Sequence, residues 1–108
     1  MLRHTILFKT KHNISDAEIN SAISQFLDLK YKLKGIISIM GGICHFNEKN
    51  IQQRANDVFT HAISIDFETQ QNLIDFFENP VTHPAKGAIL SIVEGGYNGV
   101  IGFEIESS

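Results

Sequence analysis

The stretch Phe76-Phe77-Glu78-Asn79-Pro80-Val81-Thr82-His83-Pro84-Ala85-Lys86 gathers two aromatics, two prolines, a histidine and a lysine. Histidine titrates near neutral pH and serves as a general acid or base; lysine joins it only when burial lowers its pKa. His83 is therefore the candidate catalytic residue. The same stretch has a purely structural reading. Asn79-Pro80 breaks one helix, Pro84 suits the first turn of another, and His83 then stands where a helix begins. His4 and His61 are the other candidates, each on the more apolar phase of an alternating segment, with Ile6 and Phe8 in one case and Ile63, Ile65 and Phe67 in the other. Two readings fit them: a ligand-binding polar pair on the floor of a cavity, closed by His83, or two buried histidines hydrogen-bonded to neighbours. Phe26 and Phe76 would line such a cavity or simply pack the helices. A metal would need a third ligand converging on the two histidines, and no HxH or CxxC spacing marks one, so no metal is expected. Cys44 and His45 are adjacent, and adjacent strand residues point to opposite faces, so they form no local Cys–His dyad.

The elements that must position these residues follow from periodicity. Residues 2–9 alternate as a strand. Ser15-Asp16-Ala17-Glu18 reads as a capping box, with Ile14 and Ile19 at the positions of a hydrophobic staple. Ile19, Ala22, Ile23, Phe26 and Leu33 continue one helical face, and Gly35 supplies a stop. Residues 36–45 read as a second strand, in which Gly41-Gly42 suggests a bulge. Residues 46–57 are polar and aperiodic, a loop, before alternation resumes over 58–67. Thr69 caps a short helix through Phe77, a further helix runs from Pro84 to about Glu94, and Gly95-Gly96 ends it ahead of a last strand over 97–106. The order β-α-β-β-α-(α)-β is the ferredoxin-like α+β arrangement, one domain over residues 1–108. One helix layer covers one face of its sheet. The other face, with Thr5, Leu7, Ala62, Ser64 and Met40, is too apolar for open solvent, which predicts that a second copy packs there.

"LRHTILFKTK", "FTHAISIDFE" and "THPAK" together resemble the stress-responsive A/B-barrel (Dabb) family over nearly the whole chain. The resemblance implies two ferredoxin-like domains whose sheets pair into a dimeric α/β barrel. One plant branch of that family contains polyketide cyclases, in which a Tyr–His pair moves protons during ring closure. Carried over, the family's two strand histidines fall on His4 and His61, and the first histidine of its His-Pro-Ala-His segment falls on His83. The second, the cyclase base, falls on Lys86, and the cyclase tyrosine falls on Phe76. Both catalytic side chains are replaced. Phenylalanine moves no proton, so the cyclase mechanism does not transfer.

Bulk properties exclude other classes. Net charge is −3 with no basic stripe, which argues against nucleic acid. No apolar run approaches transmembrane length and no basic-then-apolar leader opens the chain, so neither a membrane nor export is expected. A single cysteine fits a reducing, cytoplasmic setting. The expected function is a homodimer of unassigned activity holding a small hydrophobic ligand in a mostly apolar pocket, without a cofactor. The alternatives are an acid–base enzyme, cyclase- or lyase-like, acting on a hydrophobic carbonyl compound, or a related dimeric-barrel oxygenase.

Overall fold

The computed structural model describes residues 1–45 and 59–107; the loop expected over 46–57 lies outside them. The first strand, β1 (Leu2–Phe8), leads into α1 (Asp16–Leu27). The predicted capping box is present: Ser15 Oγ accepts from the Glu18 N–H at 3.1 Å and donates to Glu18 Oε1 at 3.3 Å. The helix stops at Leu27, well short of Gly35, and tightens into a 3-10 turn over Asp28–Tyr31 that buries Leu29. Leu33 still packs against the core, but from outside the helix. Gly35, at φ +81°, reverses the chain into β2 (Ile36–Ile43); a side chain there would also strike Asn72.

Strand β3 (His61–Phe67) precedes α2 (Gln70–Glu78), which Thr69 caps through the Asn72 N–H at 3.1 Å. A 3-10 turn over Pro80–Thr82 delivers α3 (His83–Ile92), and a last one over Gly96–Gly99 delivers β4 (Val100–Glu106). The last strand thus starts at Val100, three residues later than its alternation suggests, because Gly95 and Gly96 take positive φ and wind Tyr97 into the turn.

The four strands form one antiparallel sheet in the order β2-β3-β1-β4. Phe8, Ile63, Ile65 and Phe67 point under the helices, where Ile19, Ile23, Phe26, Phe76, Ile89 and Ile92 meet them in the core. The bulge expected at Gly41-Gly42 lies elsewhere: the register shifts between Ile36 and Ser38, while Gly41 and Gly42 pair regularly with Ile63 and Ala62. Gly41 answers to packing. A Cβ there would sit 3.0 Å from Ile23 Cγ2 and 3.1 Å from Ile63 Cγ1, so the bare backbone lets α1 lie close on the sheet. Among the described residues no helix is long and apolar enough to cross a membrane.

The opposite sheet face carries cross-strand polar pairs at its centre. Arg3 grips Asp66 through two bonds of 2.7 and 3.0 Å, Ser38 Oγ donates to the same carboxylate at 3.1 Å, and Thr5 and Ser64 share a hydroxyl bond of 2.9 Å. Around them Met40, Ile101, Phe103 and Ile105 stand exposed. Gly41→Val should cost about 1–3 kcal/mol through overpacking against Ile23 and Ile63. It will appear as a lower urea midpoint with an unchanged slope.

Candidate functional site

The pairing register brings together side chains that are far apart in sequence. His4 stands opposite Glu104, and Ile6 opposite Gly102. These four positions form the floor of a cavity of about 340 Å³ between the β1–β4 half of the sheet and the helices. Phe26 enters from α1, Phe76 and Phe77 from α2, and Lys86, Ile89 and Leu90 from α3; Tyr97 and Val100 close the β4 end. Gly102 leaves the floor open, since a Cβ there would rest 3.4 Å from His4 Cε1 inside the cavity.

His4 is buried, and its Nδ1 lies 3.0 Å from Glu104 Oε1. A carboxylate only accepts, so the partner assigns the proton to Nδ1 and leaves a lone pair on Nε2. Among the described residues nothing hydrogen-bonds Nε2, and the atom is not sealed from solvent. The Phe77 ring holds the imidazole edge-on, with centroids 5.0 Å apart. Burial pushes the His4 pKa below its ordinary 6.5; the charge and hydrogen bond of Glu104 oppose that shift, and nearby Lys86 adds to it.

Lys86 is half-buried. Its Nζ donates to the Phe77 carbonyl at 3.3 Å and lies 5.3 Å and 5.2 Å from the ring centroids of Phe76 and Phe77. Burial lowers its pKa. Lys86 is therefore part of the cavity wall.

Of the residues singled out in the sequence, the structure brings His4, Phe26 and Phe76 to this cavity. His61 and His83 are outside its lining. His61 pairs with Phe8 and His4 with Ile65, four ladder positions apart, or roughly 13 Å along the strands. There His61 stacks on Phe8, bonds Thr60 Oγ1 at 2.8 Å, and has its pKa lowered by burial, with Asp16 opposing. His83 is the exposed first residue of α3. Cys44 and His45 follow the end of β2 at Ile43, and burial pushes the Cys44 thiol up. Among the described residues no three His, Cys, Asp or Glu side chains converge as metal ligands would. Sequence reasoning missed Glu104, Lys86 and Tyr97 as lining. For Glu104 a signal existed: it is a charge on the same phase of its strand as Gly102, across from a histidine strand.

A four-stranded sheet with helices on one face and a cavity beneath them defines a ferredoxin-like α+β domain. The chain belongs to the Stress responsive A/B Barrel Domain (Dabb) family, whose sequence profile matches residues 2–105. Among solved structures it is similar to the At3g17210 protein of Arabidopsis thaliana, at 16% identity and TM-score 0.82, over 100% of this chain and 96% of that one. A dimeric ferredoxin-like protein of unknown function from Jannaschia sp. CCS1 gives 16% identity and TM-score 0.82, over 98% of each chain. Hydroxynitrile lyase from Passiflora edulis gives 20% and 0.76, over 99% of this chain and 94% of that one. At these identities the likeness is one of fold. No curated protein sequence matches the chain.

Both imidazoles are held below 6.5, so on acidification the unfolded chain takes up protons first. Their contribution to stability is complete above 6.5 and is lost as the pH falls through that value toward their folded pKa values. Glu104→Gln removes the group that raises His4, so an NMR titration of the variant should place the His4 pKa lower still. An unchanged or higher value would mean that the pair does not form in solution.

Proposed function

We propose that the chain is a homodimer that holds a small, mostly apolar molecule in the cavity under its helices. The observation that carries this is the cavity itself: a mostly apolar hollow lined also by four polar side chains, His4, Lys86, Tyr97 and Glu104. Support for the dimer is the outer sheet face. Its central polar groups are already paired with one another, so a second sheet can cover Met40, Ile101, Phe103 and Ile105 without stranding a donor or a charge. The similar Jannaschia protein is described as dimeric. One Dabb domain over the chain and a cytoplasmic location complete the reading. The profile match supports the first, and the single free thiol at Cys44 supports the second.

The His4–Glu104 hydrogen bond favours a second reading, acid–base catalysis on a hydrophobic carbonyl compound. A cavity-lining imidazole oriented by a carboxylate on Nδ1, with no partner on Nε2 among the described residues, is the arrangement a general base requires. His83, exposed at the start of α3, is less well placed for that role.

Native mass spectrometry of the purified protein tests the first reading. A dimer is expected, with or without a retained small molecule; a monomer would remove the sheet-to-sheet assembly. Phe103→Lys should weaken the dimer roughly thirtyfold or more, as expected for burying a charge in the apolar part of an interface. Where a carbonyl substrate is turned over, His4→Ala should lower kcat about 10²–10⁴-fold while His83→Ala leaves it unchanged. Equal losses in both variants would sink the His4 assignment.

A further inference from the structure

Among the described residues, Lys86 is the only lysine or arginine in the cavity lining, and no carboxylate pairs with it. The one lining carboxylate, Glu104, is already hydrogen-bonded to His4. A cation half-buried among Phe76, Phe77, Ile89 and Leu90 is costly unless something compensates it. Two ring faces and one backbone carbonyl do so in part, but the carbonyl uses one of three N–H bonds and carries no net charge. An anion seated at Nζ would neutralise the charge and take up one of its remaining N–H bonds.

Apart from the Tyr97 phenol the rest of the lining is apolar, and a volume of about 340 Å³ is at the small end of ligand sites, about 300–1,000 Å³. We propose that the cavity selects small monocarboxylic acids, a compact apolar body against Phe26, Ile6 and Leu90 with its carboxylate received by Lys86. This rests on the small-molecule reading above and adds the ligand's chemical class. Lysine offers a mobile point charge, so it suits a single carboxylate and places little demand on headgroup geometry.

Octanoate and 1-octanol, matched in chain length and differing in the headgroup, are the probes, with affinities measured by calorimetry near neutral pH. The expected result is octanoate binding at least about tenfold more tightly, the worth of one charge-assisted hydrogen bond. Lys86→Met keeps an unbranched apolar stem and should abolish that preference; Lys86→Arg should keep it. Octanol binding as well as octanoate, or a preference that survives in Lys86→Met, overturns the proposal and leaves the pocket standing. Binding of neither overturns the proposal together with the pocket reading.

Discussion

The register of β4 on β1 is the constraint on which both the cavity and the exposed apolar patch depend. Glu104 across from His4 sets the buried pair, and Gly102 across from Ile6 sets the open floor of the cavity. The intervening residues, Ile101, Phe103 and Ile105, face the other way and form the exposed apolar patch. A slip of one residue would exchange the two sets, placing three bulky side chains in the cavity and a carboxylate on the outer face. Among the described residues nothing on the far side of β4 enforces the register, since it is an edge strand bonded to β1 alone. Its hold comes from the seven paired positions of β1 and from the turn at Gly95 and Gly96 that fixes where the strand begins.

The same strand shows why one layer of helices leaves work undone. Beneath the helices β3 is buried along its inward phase, at Ile63, Ile65 and Phe67, whereas β4 is exposed over most of its length. The cavity lies under this poorly covered flank. On the outer face, the central strands carry Arg3 against Asp66 and Thr5 against Ser64, whereas β4 carries only apolar side chains there. Arg3 holds the Asp66 carboxyl below its ordinary pKa, so the charged pair persists well into acid. A polar centre that satisfies itself and an apolar flank that does not are suited to being covered by another sheet.

Much of the architecture was legible in the sequence because its signals are local. Alternation marked the strands, Ser15 and Thr69 marked helix starts through their bonds to Glu18 and Asn72, and the family motifs were visible in fragments. Pairing register was not local. Phase alone correctly put His4 and His61 under the helices, yet it says nothing of position along the ladder, and antiparallel pairing sets them at opposite ends. Glu104 escaped notice for a related reason. With the strand taken to begin at Tyr97, its partner could not be read until Val100 proved to be opposite Phe8. Gly41 misled because a glycine in a strand signals either a bulge or a close neighbour, and only packing tells which.

The proline-flanked stretch that first drew attention is a hinge that builds the cavity rim. Asn79 ends α2 by taking the Val81 N–H on its Oδ1 at 3.0 Å, and Thr82, fully buried, donates its hydroxyl to the Asn79 carbonyl at 2.8 Å. Val81 is the residue whose N–H would have bonded the Phe77 carbonyl had the helix continued. Freed by the turn, that carbonyl is taken by Lys86 from the first turn of α3, as a cation caps a helix C-terminus. The bond ties the two helices across the hinge and holds Nζ over both phenylalanine rings, at the cavity wall. His83, at the corner itself, is turned to solvent, while the side chains on either side of the corner point in. A histidine at the position of Lys86 would be uncharged for most of the neutral range and could act as a base. Lysine there caps the Phe77 carbonyl and sets a positive charge at the cavity wall, the feature on which the proposed carboxylate selectivity rests.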